Sequence, residues 1–233
     1  MYTILCYGDS HVWGAMPGVF DTKISLAGRF PKHKRWTSVL QKTLGSSYEV
    51  IEDCLNGRTT TVDEITPGRP FRNGITLLLT SLEMRYPVDM VVLLLGTNDL
   101  KVQYNQSAQR ITANIKQLID VIKSSNKGPQ GLAPKILLIA PPPILNISHL
   151  HFSFDHESVE KSRQLGKLYR ILAEQEGHAF LDAADIVTSS PLDGFHMDES
   201  QLPLLGKAVA QQVIRGMADF SVQDKGFVSA YAG

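Results

Sequence analysis

The sequence is poor in cysteine, has no net charge and contains no long apolar run. Its two cysteines, Cys6 and Cys54, lie in apolar, strand-like contexts, which favours buried free thiols in a reducing compartment and leaves a disulfide as the alternative. Lys plus Arg and Asp plus Glu both number 23, so no basic field favours nucleic acid or an anionic membrane as a partner. No apolar run approaches the ~20 residues of a membrane span. We expect no signal peptide, because the first apolar run follows no basic region and has no small-residue cleavage site. We therefore expect a cytoplasmic protein that binds neither nucleic acid nor membrane.

What the sequence does contain is a regular alternation of apolar runs and amphipathic segments. Residues 88–95 are apolar almost throughout, as expected of a central parallel strand that is buried on both faces. Residues 107–123 place their apolar side chains on one helical face. Similar patterns predict strands at the first apolar run and at residues 48–51, 135–140 and 179–182, and helices at residues 35–44, 73–86, 158–175 and 201–217. The alternation indicates an α/β fold with a parallel sheet between two helical layers.

The chain is expected to form one domain, residues 1–217, because no repeat, low-complexity tract or linker divides it. Residues 15–34 show neither a helical nor a strand period, and we expect a loop over the mouth of a crevice or an interface arm. Residues 218–233 show only a weak pattern, and we expect a tail that is mobile or packs on a neighbouring subunit.

The first apolar run ends abruptly in Gly8-Asp9-Ser10. A strand followed by a glycine-containing turn presents a side chain at the carboxyl edge of the sheet, where ligands bind in open α/β folds. Ser10 is therefore a candidate nucleophile, although Asp and Ser after a strand are also common turn and helix-capping residues. For Asp9 we expect the structural role, with its carboxylate bound to backbone N–H groups of the turn.

Three later turns supply the other groups that acyl transfer requires. A serine hydroxyl needs a general base, and His196 is the candidate, with Asp193 three residues earlier to orient the imidazole. The developing oxyanion needs donors, and the candidates are the backbone N–H groups of Ser10 and Gly57 and the side-chain amide of Asn98. The structural alternatives are a turn glycine, an Asx turn or helix cap, and a surface histidine at a helix start.

These residues stand in motifs that resemble the four sequence blocks of the SGNH, or GDSL-type, hydrolases. The blocks follow the family's order: Gly8-Asp9-Ser10, Asn56-Gly57, Gly96-Thr97-Asn98-Asp99 and Asp193-Gly194-Phe195-His196. Neighbouring residues resemble the arylesterase and acyltransferase branch, namely Trp13-Gly14, Arg58-Thr59-Thr60 and Pro141-Pro142-Pro143. The resemblance extends over about residues 3–217.

The resemblance implies a flavodoxin-like, three-layer α/β/α fold. It also implies a catalytic triad of Ser10, His196 and Asp193, and an oxyanion hole of Ser10, Gly57 and Asn98. The reaction it implies is metal-free hydrolysis of a small ester through an acyl-enzyme, with acyl transfer to alcohols in some members. Because arylesterase-like members often form symmetric oligomers, we expect a homo-oligomer.

Two residues close to Ser10 are predicted to lie in the substrate pocket. His11 occupies the position of the Leu in the GDSL name, and we expect it to influence acyl preference. Trp13 is predicted to line the acyl pocket, with a place in the core as the alternative. Together with the Phe-bearing loops, these side chains predict a small pocket and short acyl chains.

We expect neither a metal nor a cofactor. His149, His151 and His156 lie in one loop with Asp155, but their spacing matches no compact zinc-ligand pattern. The sequence lacks Gly-x-Gly-x-x-Gly after its first strand and lacks a P-loop, which disfavours a nucleotide or flavin module. The main prediction is a serine esterase for short-chain acyl or aryl esters. The alternatives are a carbohydrate O-deacetylase of the same family and a non-catalytic, flavodoxin-like binding module.

Overall fold

A computed structural model describes residues 1–21, 26–64, 69–146 and 153–227. The strands are β1 (Tyr2–Gly8), β2 (Ala15–Asp21), β3 (Leu26–Arg29), β4 (Tyr48–Cys54), β5 (Met90–Leu94), β6 (Lys135–Ala140) and β7 (Ala179–Asp182). The α-helices are α1 (Ser10–Trp13), α2 (Trp36–Leu44), α3 (Gly74–Met84), α4 (Ala108–Ser124), α5 (His156–Glu176) and α6 (Leu202–Phe227). Five strands form a parallel sheet in the order β4-β1-β5-β6-β7, which confirms the predicted α/β fold class.

Side chains of the central strands alternate between two hydrophobic cores. In β1, Leu5 and Tyr7 pack with α3, α4 and α5, whereas Ile4 and Cys6 pack with α2 and α6. Strand β5 alternates in the same way and is completely buried. A strand covered on both faces needs apolar residues at every position, which explains the unbroken apolar run in the sequence.

The order of the strands locates a crevice at the carboxyl edge of the sheet. From β1 the chain passes to β4 on one side, and it then returns to β5 on the other side of β1. Ligands of open α/β sheets bind at such a reversal of strand order. The turns after β1, β4 and β5 are those of Ser10, Gly57 and Asn98, so topology brings three predicted site residues to one edge.

The described part of residues 15–34 is not the loop that we expected over the mouth of a crevice, and the alternative of an interface arm stays a prediction. Strands β2 and β3 form a separate antiparallel pair, and a short helical turn at Lys32–Lys34 follows them. The strand pattern is missing from the sequence because the pairing is irregular, with a register shift between Ala15 and Phe20. Gly18 within β2 has a positive φ of 69°, a conformation that suits glycine.

Two further predictions can be compared with the fold. Helix α6 does not end near Met217 but continues to Phe227, and the remainder of the predicted tail lies outside the described residues. Both cysteines are free, as expected; Cys6 is buried and Cys54 is half-buried. No helix within the described ranges combines the length and apolarity that a membrane span needs.

Candidate active site

Ser10 is the first residue of α1 and directly follows the turn that ends β1. A side chain at Gly8 would collide with Val12 of the helix and with the carbonyl of Leu94, at 2.3 and 2.6 Å, so glycine allows the helix to start this close to the sheet. Asp9 caps the helix, because its Oδ1 accepts the N–H of His11 at 2.9 Å. Ser10 is only 4% exposed, and it borders the cleft at the edge of the sheet.

Asp193 and His196 form a close pair. Nδ1 of the imidazole lies 2.7 Å from Oδ2 of the carboxylate, and Oδ1 accepts the backbone N–H groups of Phe195 and His196 at 3.1 and 3.0 Å. Burial raises the pKa of Asp193, but the hydrogen bonds from His196 outweigh burial and hold the pKa at about 2. The carboxylate is therefore ionised throughout the neutral range and fixes the tautomer in which Nδ1 has the proton.

The β2 strand also contacts this acid. The N–H of Gly18 donates to Oδ2 of Asp193 at 3.0 Å, so the same carboxylate oxygen accepts both the imidazole and the backbone of the hairpin. This contact places β2 next to the site. The contact between Gly18 and Asp193 was not predicted, because every residue except proline has a backbone N–H and the sequence does not show where it points.

Two backbone N–H groups are available as oxyanion donors. Neither the N–H of Ser10 nor that of Gly57 has an acceptor within the described part of the chain, and both residues line the cleft. Gly57 has a φ of 84°, and a Cβ at this position would lie 2.2 Å from Nη2 of Arg69. The positive φ therefore favours glycine here, and a Cβ would also displace the Arg69 side chain.

Asn98 lines the cleft, but its amide nitrogen already has two acceptors. It lies 3.2 Å from Oδ2 of Asp9 and 3.1 Å from the carbonyl oxygen of Arg58. The two bonds fix the orientation of the amide group. A substrate oxyanion that uses Asn98 would have to share one of these hydrogens or replace the Arg58 carbonyl.

Two buried side chains hold the turns of the site together. Arg58 donates to the carbonyls of Gly8 and Asp53 at 3.2 and 2.7 Å, and this ties the ends of β1 and β4. Asp99 accepts the backbone N–H of Thr60 at 3.1 and 3.0 Å and also its hydroxyl, which ties the Gly57 turn to the Asn98 turn. Burial raises the pKa of Asp99 to about 7, although the hydrogen bonds from Thr60 oppose the shift.

The cleft has a volume of about 140 Å³ and contains four of the predicted site residues. It is lined by Ser10, Asn56, Gly57, Arg69, Asn98, Lys101, Ser153, Phe154, Phe195 and His196. Asp193 stands behind the imidazole of His196. The rings of Phe154 and Phe195 lie 5.2 Å apart, and the Phe195 ring lies 4.3 Å from that of His196, which gives the cleft an aromatic wall.

The two predicted pocket residues are not among the residues that line the cleft. His11 is 2% exposed, with Nε2 3.2 Å from the hydroxyl of Thr97 and its ring 6.2 Å from that of His196. The Trp13 ring lies under the guanidinium of Arg29 at 4.8 Å. Because side chains turn about 100° per residue along a helix, His11 points away from the direction of Ser10.

The cleft also contains residues that the sequence did not indicate. Lys101 follows Asn98 by three residues in the same turn, so its position could have been inferred from that motif. Arg69 lies between β4 and α3 in a segment without periodicity, and nothing in the sequence marks it. Arg69 and Arg72 both donate to the carbonyl of Asn56, at 3.0 and 3.2 Å.

The zinc hypothesis gains no support. His149 and His151 lie outside the described residues, and His156 begins α5 immediately after its capping residue, Asp155. In the ranges that the structure describes, no group of three or more metal-ligating side chains occurs.

Comparison with known proteins identifies close relatives of this chain. It is 33% identical to an aryl esterase from M. smegmatis, over 92% of this chain and 99% of that chain, with a TM-score of 0.83. It is 32% identical to Est24, a carbohydrate acetylesterase from Sinorhizobium meliloti, over 92% and 99% of the two chains, with a TM-score of 0.82. A carbohydrate acetylesterase family member from the same organism is 36% identical, over 93% and 99%, with a TM-score of 0.81. A comparison with curated proteins found no match.

The family assignment rests on sequence and fold together. The family model described as the GDSL-like Lipase/Acylhydrolase family matches residues 6–201, which include all four motifs. The parallel sheet and its helical layers match those of the structural relatives over nearly the whole chain. The chain belongs to the GDSL-like lipase/acylhydrolase family, has the SGNH hydrolase fold, and is a carboxylic ester hydrolase.

Proposed function

We propose that the chain is a serine esterase that hydrolyses small carboxylic esters with short acyl or aryl groups. The main observation is that His196, with Nδ1 2.7 Å from Oδ2 of Asp193, lines the same cleft as Ser10. The N–H groups of Ser10 and Gly57 beside it support an oxyanion hole, because donors without acceptors are available for a developing negative charge.

In the proposed reaction, Oγ of Ser10 attacks the ester carbonyl and transfers its proton to Nε2 of His196. The carbonyl oxygen becomes an oxyanion that accepts the N–H groups of Ser10 and Gly57 and the amide of Asn98. His196 then donates the proton to the leaving alcohol, and the acyl group remains on Ser10. Water attacks this ester in the second half of the reaction, with His196 again as the base. Asp193 stays ionised throughout and stabilises the imidazolium.

A labelling experiment tests this assignment without a choice of substrate. A fluorophosphonate probe should add one phosphonyl group to the wild-type protein, with loss of fluoride, as measured by intact mass. Ser10→Ala should remain unlabelled, and Ser46→Ala, which changes an exposed serine in the turn between α2 and β4, should be labelled as the wild type. Labelling of Ser10→Ala at the wild-type rate would exclude Ser10 as the nucleophile.

The preference for short chains follows from the size of the cleft. Its ≈ 140 Å³ is well below the roughly 300–1,000 Å³ of sites for drug-sized ligands. We expect p-nitrophenyl acetate to be hydrolysed faster than p-nitrophenyl octanoate. The reverse order in kcat/KM would contradict the proposed substrate size.

A carbohydrate acetylesterase is the second candidate, because two relatives that share 32% and 36% of their residues with this chain have that description. Several cleft residues could donate to sugar hydroxyls, among them Asn56, Ser153 and Arg69. Release of acetate from acetylated oligosaccharides, with negligible turnover of aryl acetates, would favour this function over the first.

Acyl transfer to alcohols, a homo-oligomeric state and a cytoplasmic location are further proposals from the sequence. Product analysis in water–alcohol mixtures tests the first, and light scattering coupled to size exclusion tests the second. If the enzyme transfers acyl groups to alcohols, the alkyl ester should exceed the carboxylic acid among the products even when water is in molar excess over the alcohol.

A further inference from the structure

Two cationic side chains line the cleft next to the proposed catalytic groups. Nη2 of Arg69 lies so close to Gly57 that a Cβ there would be 2.2 Å away. Lys101 lies in the turn that follows Asn98, and its side chain is only 11% exposed. Both residues face the same cleft as Ser10 and His196. In the proposed ester hydrolysis neither of them contacts the substrate.

Most hydrogen-bond donors on these two cations are unused. A guanidinium has five N–H groups and an ammonium has three. Within the described residues, Arg69 uses one of them, toward the carbonyl of Asn56, and its Nε is buried without a partner. Nζ of Lys101 lies 3.9 Å from the carboxylate of Glu64, which is beyond hydrogen-bond distance. Burial lowers the pKa of Lys101, although Glu64 opposes the shift.

Glu64 forms an ion pair with Lys101 at 3.9 Å, but within the described residues the other nearby carboxylates have donors elsewhere. The oxygens of Asp9 accept from the His11 N–H and from Asn98, and those of Asp99 accept from Thr60. Hydrogen-bond donors that are withdrawn from water without acceptors cost free energy, and a ligand oxygen that accepts from them recovers part of this cost. A carboxylate is the best acceptor for Arg69 and Lys101, because hydrogen bonds between oppositely charged groups are stronger than those between neutral groups.

We propose that the enzyme prefers aryl esters that bear a carboxylate, and that Arg69 and Lys101 bind this group. The inference rests on the proposed function, because the carboxylate is useful only if the ester is cleaved in the same cleft. The aromatic wall of Phe154 and Phe195 favours a ring as the connection between the carboxylate and the ester. The carboxylate belongs to either the alcohol or the acyl part, and the experiment distinguishes the two.

Two matched substrate pairs provide the test. The first is para-acetoxybenzoate and its methyl ester, with the charge on the leaving group. The second is monophenyl terephthalate and its methyl ester, with the charge on the acyl group. The measured quantity is the ratio of kcat/KM for the anionic and the neutral member of a pair. Because both values come from the same protein, this ratio cancels any general loss of activity.

In one of the pairs, the ratio should fall about tenfold in Lys101→Gln and in Arg69→Gln, a loss expected for one charge-assisted hydrogen bond. Lys101→Arg keeps the charge and should retain most of the ratio. Lys167→Gln and Arg215→Gln remove exposed charges outside the cleft, and they should leave the ratio unchanged. In the wild type the ratio should fall as the salt concentration rises.

The results of these measurements distinguish a failure of the carboxylate preference from a failure of the serine esterase assignment. Equal ratios in the wild type and in both Gln variants, for both pairs, would overturn the carboxylate preference. If the wild type still hydrolyses the neutral esters and is labelled at Ser10, the serine esterase would stand. A wild type that hydrolyses no ester and is not labelled would overturn both.

Discussion

At the residue scale, Asp193 is held by four hydrogen bonds, which fix both its charge and its direction. In Asp193→Asn the amide cannot hold the imidazole in the tautomer that presents an acceptor to Ser10. We expect kcat to fall by roughly 10³–10⁴, as for other triads, and KM to change by less than a few-fold. Steady-state kinetics with an aryl acetate would measure this, with the exposed Asp185→Asn as control. A loss of kcat below tenfold would contradict the assigned role.

The Asn56–Gly57 peptide provides a second prediction at this scale. Arg69 and Arg72 donate to the carbonyl of the peptide unit whose N–H is the proposed oxyanion donor. Hydrogen bonds polarise one another along a chain, so the two guanidinium groups strengthen that N–H. Arg72→Gln should lower kcat about threefold to tenfold, which is less than the loss of a whole oxyanion donor.

The kinetic constants of Arg72→Gln distinguish an effect on the oxyanion from a purely structural role of Arg72. If the arginine acts through the oxyanion, KM stays constant while the affinity for a boronic acid inhibitor falls in parallel with kcat. Arg110→Gln, which removes an exposed arginine from α4, should change neither quantity. A rise in KM with unchanged kcat would instead indicate a loss of substrate binding.

At the element scale, the β2–β3 hairpin affects both stability and the site. In Gly18→Ala the positive φ becomes unfavourable, and the new Cβ lies 3.2 Å from Cβ of Leu192, next to Asp193. We expect a loss of about 1 kcal/mol in the free energy of unfolding and a several-fold loss of kcat. Gly45→Ala is the matched control, because Gly45 also has a positive φ, 77°, but has open space around it. It should lose stability without losing kcat.

The elements also show which features a sequence can and cannot predict. Runs such as Val91–Leu94 identify the strands, because burial on both faces demands apolar residues, and parallel strands then bring the turns with Ser10 and Asn98 to one edge. The hairpin and Arg69 were missed, since an irregular pairing and a loop side chain are positioned by tertiary contacts alone.

At the scale of the whole molecule, the fold buries charged groups at the carboxyl edge of the sheet, between the two cores. Asp99 is completely buried, and its pKa is raised to about 7 by burial. In the unfolded chain an aspartate titrates near its ordinary value of 3.8. Between pH 4 and 7, to a rough approximation, the folded protein therefore holds a proton that the unfolded chain has lost.

The buried Asp99 should make the folded protein less stable as the pH rises. Because the folded state binds the extra proton, the contribution of Asp99 to the free energy of unfolding falls as the pH rises through this window, by up to about 1.4 kcal/mol per pH unit. Asp99→Asn cannot ionise, and its amide oxygen can still accept the N–H of Thr60. Denaturant unfolding at pH 5, 6, 7 and 8 should thus show the variant gaining stability relative to the wild type as the pH increases. The exposed Asp63→Asn should show no such trend. Parallel pH profiles for Asp99→Asn and the wild type would mean that this carboxyl group is not protonated in the folded protein.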